Sequence, residues 1–119
     1  MTPTQRTKKE LRSRGLECDI VERYLQHAIR GDGGRGVRKD LFGIIDIIAL
    51  DPYRGVVGVQ STGQAFSSHF KKITVEKKEE AIKWLCTPGA VLELWGWRKL
   101  KGRWQPRIHV FCLHDLLGY

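Results

Sequence analysis

Asp46 lies between two pairs of isoleucines in the segment Gly43-Ile-Ile-Asp-Ile-Ile-Ala-Leu50, and this feature most constrains the fold. The segment is short and β-branched, and Asp51-Pro52 follows it, so it is typical of a buried β-strand. An unpaired carboxylate in such a strand costs several kcal/mol. The fold must therefore place a metal, a positive partner or a proton-sharing group beside Asp46.

The surrounding pattern predicts further strands and helices. A second strand at residues 56–60 ends in Gln60, and the clearest hairpin joins residues 91–99 to 103–113. The other predicted elements are helices at 4–14, 67–73 (with Ser67 as N-cap) and 76–85, a strand at 16–24 and a flexible glycine-rich loop at 30–37. The order α-β-β-β-α-α-β-β predicts an α/β or α+β fold, with one mixed β-sheet flanked by helices.

Length and composition exclude several classes of protein. A chain of 119 residues is expected to form one domain, and its 41% hydrophobic content with four tryptophans favours a folded chain. No segment reaches the roughly 20 apolar residues that cross a bilayer. The first 14 residues are polar and basic, without the apolar core of a secretory signal. We therefore expect a cytoplasmic protein that does not insert into membranes.

The cysteines and two of the histidines show no metal-ligand or disulfide spacing. Cys18, Cys86 and Cys112 are far apart and odd in number, so we interpret them as reduced and mostly buried thiols. His69 and His109 lack a partner at metal spacing and are interpreted as surface or internally paired histidines. A zinc site or a disulfide framework is not predicted.

The polar residues around the central strands predict a magnesium or manganese site. Asp40, Asp46 and Gln60 cluster in this region, and Thr62 shares a strand face with Gln60. Mg²⁺ takes one or two carboxylates together with other oxygen ligands. A metal there would polarise a phosphodiester, and Lys71 or Lys72 on the following helix would neutralise developing charge.

At these residues the chain resembles the PD-(D/E)XK nuclease superfamily, and most closely its small Holliday junction resolvase and phage nuclease members. The family core is a helix, a β-hairpin carrying an Asp, a strand carrying (D/E)-x-K, and a helix. The segment Ile45-Asp46-Ile-Ile-Ala-Leu50 is similar to the Pro-Asp strand. The segment Val57-Gly-Val-Gln60-Ser-Thr62 stands where the (D/E)-x-K strand is expected. The resemblance covers roughly residues 4–74 and implies a restriction-endonuclease-like core.

The resemblance also implies roles for individual residues. Asp46 would be the principal metal ligand and Gln60, in place of the acid, the second. Thr62 replaces the lysine, Ile45 replaces the proline, and the helical glutamate of resolvases would align near Thr4. The family's lysine can migrate, so the candidates for the missing cation are Lys71, Lys72 and Lys39. The candidates for a second carboxylate are Asp40 and Glu22.

Structural interpretations of the same residues stay open. Asp46 could pair with Arg38 or with the backbone of a turn, because a buried carboxylate needs some partner. Gln60 could satisfy the edge of a strand. Asp40 precedes a glycine-containing turn and could cap it.

The terminal hairpin and the overall charge favour nucleic acid as the partner. The net charge is +8, and no acid occurs between Glu93 and Asp115. Trp95, Trp97 and Trp104 are interleaved with cations, although Trp95 and Trp97 share a strand face that favours packing in the core. The candidate phosphate-binding residues are Arg35, Arg38, Lys39, Arg98, Lys99, Lys101 and Arg103.

The residues and the resemblance together predict a DNA endonuclease that uses Mg²⁺ or Mn²⁺. A structure-selective enzyme related to phages or mobile elements is the form that the resemblance implies. Such cores are often dimeric, so a homodimer is also implied. One alternative is a nucleic-acid-binding protein on the same fold without catalysis. Another is an unrelated basic α+β interaction domain in which Asp46 is structural.

Overall fold

The computed structural model describes residues 1–25 and 37–118. Of the glycine-rich loop predicted at 30–37, only Val37 belongs to the described residues, and Arg35 lies outside them. The helices are α1 (Pro3–Ser13), α2 (Phe66–Lys71), α3 (Lys78–Cys86) and α4 (Leu113–Leu117), with a π-helical turn at Lys72–Glu76. The strands are β1 (Glu17–Ile20), β2 (Arg23–Leu25), β3 (Val37–Lys39), β4 (Ile47–Asp51), β5 (Gly55–Thr62), β6 (Ala90–Leu100) and β7 (Arg103–Val110).

Five strands form one mixed sheet in the order β1-β4-β5-β6-β7. Strands β5 and β6 are parallel, and the other neighbours are antiparallel. Strands β2 and β3 form a separate antiparallel pair. Helices flank the larger sheet, so the fold is α+β and the predicted mixed sheet is confirmed.

The predicted strand at 16–24 is wrong as a single element. The amides of Val21 and Glu22 both donate to the Asp46 carbonyl, at 2.8 and 3.3 Å, and the chain leaves the large sheet there. The second part, β2, pairs with β3 instead. Asp46 itself lies just before β4 and not inside the strand, because β4 begins at Ile47.

Two helix predictions also need correction. Ser67 is not an N-cap, since α2 begins at Phe66 and its N-cap is Ala65, which makes no side-chain hydrogen bond. The last predicted strand ends at Val110, and the residues after it form α4. Helix α4 has only five residues, too few for a helical hydrophobic period to be recognised.

Helix α1 has clear sequence signals at both ends. Thr2 and Gln5 form a reciprocal capping box, and Pro3 occupies the first turn, where no amide partner is lost. Gly15 follows the helix with φ of +82°, a conformation that favours glycine.

The sheet separates two hydrophobic cores, and β6 contributes to both. Val57 and Val59 pack with Leu11 of α1 and with Trp95 and Trp97. The opposite face is covered by the α2–α3 region and α4, where the buried side chains are Ile44, Ile45, Ile73, Ala81, Leu92, Leu94, Phe111 and Leu116. Because successive strand residues alternate between faces, Gln60 and Thr62 point to this second side and Ser61 to the α1 side.

The β6–β7 hairpin turns at Lys101 and Gly102, as predicted. Both residues have positive φ, +51° and +76°, which matches the right-handed twist of a two-residue hairpin. Gly96 pairs with Thr62, the last residue of β5, and β6 continues beyond this point to Leu100. The end of the hairpin is therefore a two-stranded arm, which consists of residues 97–100 and 103–106.

Thr7 connects α1 to the sheet through three hydrogen bonds. Its Oγ1 donates to the Pro3 carbonyl at 3.0 Å and accepts from Ser61 Oγ and Trp97 Nε1, both at 2.8 Å. Thr7→Val keeps the volume but leaves the two buried donors without a partner, so we expect a loss of about 1–3 kcal/mol of unfolding free energy. Urea denaturation would measure this loss. Thr4→Val in the same helix is the control, and an equal loss in both variants would contradict the assigned role of Thr7.

The cysteine prediction is correct in part. All three cysteines are free, but Cys18 alone is buried, while Cys86 and Cys112 are exposed. The expectation of mostly buried thiols is therefore wrong. In the described residues, every helix is too short or too polar to span a bilayer.

Candidate metal centre

The backbone of Asp46 is held on two sides. Its amide donates to the Val59 carbonyl at 2.8 Å, which ties it to β5. Its carbonyl accepts from Val21 and Glu22, which ties it to the segment after β1. Asp46 therefore joins β5 to the segment after β1. The same hydrogen bonds bring Glu22 close to the side chain of Asp46.

The carboxylate of Asp46 is buried, with 2% of the residue exposed. Its Oδ2 accepts from the Ser61 amide at 2.7 Å and from Gln60 Nε2 at 2.8 Å. The alternative pairing with Arg38 is wrong, because the Arg38 guanidinium lies 3.7 Å from Glu22 instead. These two donors fix the orientation of the carboxylate without supplying a full positive charge.

Three carboxylates converge at this point and form the acidic cluster: Glu22, Asp40 and Asp46. One oxygen of each lies within 4.8 Å of the others. Gln60 Nε2 also donates to Asp40 Oδ2 at 3.2 Å, so this amide bridges two of the three acids. The separation suits a single cation bound by several oxygen ligands.

Two cations of the described residues lie within 4.0 Å of the acidic cluster, Arg38 beside Glu22 and Lys72 beside Asp40, and Lys72 is the more buried. Its Nζ lies 3.4 Å from Asp40 Oδ2, and its side chain is only 26% exposed. It begins the π-helical turn, an irregularity that is frequent at functional sites. Lys71 on α2 and Lys39 on β3 are both exposed, so neither has the half-buried position of Lys72. Thr62 is buried on the Gln60 face of β5.

Burial and charge shift the two central acids in opposite directions. Burial is the main cause that raises the pKa of Asp46 to about 8, and the neighbouring Asp40 contributes in the same direction. The hydrogen bonds from Ser61 and Gln60 act in the opposite direction but are outweighed. Burial acts on Asp40 in the same way, but hydrogen bonds from Asp46 and Gln60 and the charge of Lys72 outweigh it, so the pKa of Asp40 is lowered. At neutral pH the pair therefore holds one proton, on Asp46.

Gln60 carries an unsatisfied oxygen. The residue is 2% exposed, and its Oε1 is buried without a hydrogen-bond partner in the described part of the chain. Buried amide oxygens normally have a partner. An amide oxygen is a good ligand for Mg²⁺ and Ca²⁺, but the end of this amide that contacts Asp40 and Asp46 is Nε2, so Oε1 is an oxygen donor beside the acids rather than a member of the acidic cluster.

Sequence reasoning missed two groups near the cluster. The Ser61 amide is a backbone donor, which no side-chain pattern can reveal. His69 lies on α2 one turn before Lys72; its Nδ1 is buried and has no partner among the described residues. Burial and the charge of Lys72 lower the pKa of His69, so the ring is held neutral. The i, i+3 spacing to Lys72 was the available signal.

The predicted phosphate-binding cations lie on two surfaces. Arg38 and Lys39 are exposed on β3, close to the acidic cluster through the Arg38–Glu22 pair. The exposed cations of the hairpin are Arg98, Lys99, Lys101 and Arg103. Trp95 and Trp97 are buried, as their shared strand face predicts, whereas Trp104 remains 45% exposed.

No protein-family model, curated protein or solved structure matches this chain. The resemblance to PD-(D/E)XK nucleases therefore remains a prediction. The functional argument rests on the geometry of the acidic cluster and on the distribution of charge.

Proposed function

We propose that this chain is a metal-dependent DNA endonuclease of the PD-(D/E)XK type, acting in the cytoplasm. The observation that carries the proposal is the convergence of three carboxylates, Gln60 and Lys72 on one small region. A helix is followed by a hairpin, with Asp46 immediately before its first strand and Gln60 in its second, and then by a further helix. This order supports a restriction-endonuclease-like core. The net charge of +8 supports a polyanionic substrate.

The residues fit Mg²⁺ or Mn²⁺. Asp46, the Gln60 Oε1 atom and one of Asp40 and Glu22 would hold the ion, all through oxygen atoms, as a hard cation requires. A bound ion would act as a Lewis acid on a phosphodiester and lower the pKa of a bound water. Asp46 loses its proton when it becomes a ligand, so binding should strengthen as pH rises.

Lys72 supplies the positive charge that Thr62 cannot. Its ammonium lies against Asp40, at the rim of the acidic cluster, where it can bind a phosphate oxygen that approaches the cluster. The Ser61 amide and Gln60 Nε2 keep Asp46 in one orientation. Lys72 is thus the best candidate for the migrated lysine of the family pattern.

Lys72→Gln should lower the rate of Mn²⁺-dependent cleavage about a hundredfold or more, because the developing negative charge loses its cation. The same change should tighten Mn²⁺ binding, since a competing positive charge beside Asp40 is removed. Single-turnover cleavage of a labelled branched DNA and calorimetric Mn²⁺ titration measure the two effects.

Lys71→Gln is the matched control, because it removes the same charge one residue away on an exposed position. Equal losses of cleavage in the Lys71 and Lys72 variants would mean that both act only through the overall charge, and would remove Lys72 from the proposed site.

A nucleic-acid-binding protein without catalysis is the second candidate function. The observation that favours it is that two uncharged residues, Gln60 and Thr62, occupy the positions where the family pattern has an acid and a lysine. This candidate predicts DNA affinity that falls steeply with salt and no cleavage with any divalent ion. Fluorescence anisotropy and a cleavage assay on the same preparation distinguish the two.

A further inference from the structure

The groove between α1 and the arm is a second candidate site, distinct from the acidic cluster. It has a volume of about 210 Å³, and its lining residues include Arg6 and Lys9 of α1 and Trp97 and Trp104 of the hairpin. Trp104 is opposite Lys99 in the β6–β7 register, and the strand alternation places it on the α1 face of the sheet. Gln60 and the acidic cluster lie on the other face.

Trp104 differs from the other tryptophans of the hairpin. Trp95 and Trp97 are 1% and 5% exposed, whereas Trp104 is 45% exposed. The Arg6 guanidinium lies 4.0 Å from the centroid of the Trp104 ring, and the Lys99 ammonium lies 6.0 Å from it. An exposed aromatic ring between two cations contributes little to the stability of the core, but it is suited to stack on a flat ligand.

The cations around this groove are not neutralised by the protein. Among the described residues, the salt bridges of 4.0 Å or less include none of these cations. The one acid that lines the groove, Glu10, pairs with Arg14 at 2.9 Å instead. On the groove side, the cations without such a pair are Arg6, Lys9 and Lys99, with Lys101 in the turn at the tip of the arm. Arg98 and Arg103 are also without such a pair, but the alternation that places Lys99 and Trp104 on the α1 face places these two on the other face. The charge of Arg6, Lys9 and Lys99 is therefore available for an anionic ligand along the groove.

We propose that the groove between α1 and the arm binds single-stranded nucleic acid, with a base stacked on Trp104 and phosphates held by the arm and α1. A duplex keeps its base faces inside its own stack, so the open part of the Trp104 ring can reach a base face only where the strand is unpaired. From Leu94, opposite Gln60, strand β6 extends about 20 Å to Leu100 at the end of the arm, a length that accommodates several nucleotides.

This inference goes beyond the proposed nuclease function, because it does not require the acidic cluster to bind metal or to cleave. Both sites lie toward the end of the sheet where β5 finishes, on opposite faces. If both are present, one protein holds an unpaired strand in the groove while the acidic cluster faces a neighbouring part of the substrate. That arrangement selects DNA with a single-stranded segment.

The test is equilibrium binding of a fluorescein-labelled oligothymidylate of about 12 nucleotides, in chelator so that no cleavage occurs. The oligothymidylate should bind more tightly than a duplex of equal length and should quench tryptophan fluorescence. Trp104→Leu should weaken its binding at least about tenfold and abolish most of the quenching. Affinity of the wild type should fall steeply between about 50 and 200 mM salt.

Tyr53→Leu is the matched control, because Tyr53 is an aromatic residue with 98% exposure in the turn between β4 and β5, at the other end of the sheet. This variant should bind the oligothymidylate as the wild type does. Equal affinity of wild type and Trp104→Leu, or tighter binding of the duplex without quenching, would overturn the proposal. Equally tight binding of an acidic peptide would also overturn it, since it would indicate a general anion surface.

The failure of this site and the failure of the nuclease proposal are distinguishable. Asp46→Asn should leave oligothymidylate affinity unchanged, because Asp46 lies outside the groove. Loss of Mn²⁺ binding in that variant, measured by calorimetry, reports on the acidic cluster alone. Thermal unfolding of Trp104→Leu identifies a folding defect, and Arg6→Gln then provides a second variant of the groove that leaves the ring in place.

Discussion

Replacing Asp46 with alanine should lower Mg²⁺- or Mn²⁺-dependent DNA cleavage by about a thousandfold or more. Asp46 is the most buried member of the acidic cluster, and both Gln60 and the Ser61 amide are arranged around its Oδ2 atom. Without this carboxylate, the remaining ligands cannot enclose a cation. The measurement is single-turnover cleavage of labelled branched and single-stranded DNA with each metal.

Asp19→Ala is the control for this substitution. Asp19 is an exposed aspartate on β1, the strand that pairs with β4, so its loss removes the same charge from the same region of the sheet. Cleavage by this variant should equal that of the wild type. Persistent cleavage by a folded Asp46→Ala protein would show that the metal centre has been placed on the wrong residues.

Replacing Asp46 with asparagine should make the metal-free protein more stable at neutral pH, by on the order of a few kcal/mol. The pKa of Asp46 is about 8 in the folded protein and close to its ordinary value of 3.8 when unfolded. The folded state therefore binds the extra proton, and its contribution is fully present below about pH 4 and lost as pH rises toward 8. Asparagine imitates the protonated acid at every pH: its Oδ1 accepts from Ser61 and Gln60, and its amide can donate to Asp40.

The difference in unfolding free energy between Asp46→Asn and wild type should therefore be small near pH 4, grow with pH, and level off above about pH 8. Urea denaturation across this range in chelator measures it, and Asp19→Asn should show no such trend. Mn²⁺ should stabilise the wild type more at pH 8 than at pH 6 and leave Asp46→Asn unaffected. A difference that does not change with pH would contradict a raised pKa at Asp46.

The local parts of the site could be predicted from the sequence. Asp46 and Gln60 meet because an antiparallel hairpin with a short turn fixes which residues lie opposite one another. Trp95 and Trp97 share a strand face, so they share a core. Lys101 and Gly102 turn the last hairpin because that type of turn needs two residues with positive φ. Each of these inferences depends on neighbours in the chain.

The convergence of the acidic cluster could not be predicted in the same way. Glu22 and Asp40 were the candidates for a second carboxylate. The approach of Glu22 depends on the Val21 and Glu22 amides donating to the Asp46 carbonyl, and that of Asp40 on the turn in which the Gly43 amide donates to the Asp40 carbonyl. The choice of Lys72 over Lys71 depends on which side of the helix packs against Asp40: Lys72 lies on that half-buried side, whereas Lys71 is exposed. Both are tertiary effects, and periodicity in the sequence carries no information about them.

Ser61 has a consequence for how substitutions in this strand would be tolerated. Its amide donates to Asp46, and its hydroxyl donates to Thr7, which also accepts from Trp97. Ser61 thus takes part in two hydrogen-bonded groups: its amide is part of the group around Asp46, and its hydroxyl is part of the group around Thr7 on the α1 side of the sheet. Ser61→Ala removes only the bond toward α1 and keeps the amide that orients the Asp46 carboxylate. Proline at this position would disrupt the central strand as well as remove the amide, so alanine is the substitution that separates scaffold rigidity from ligand alignment without changing a ligand.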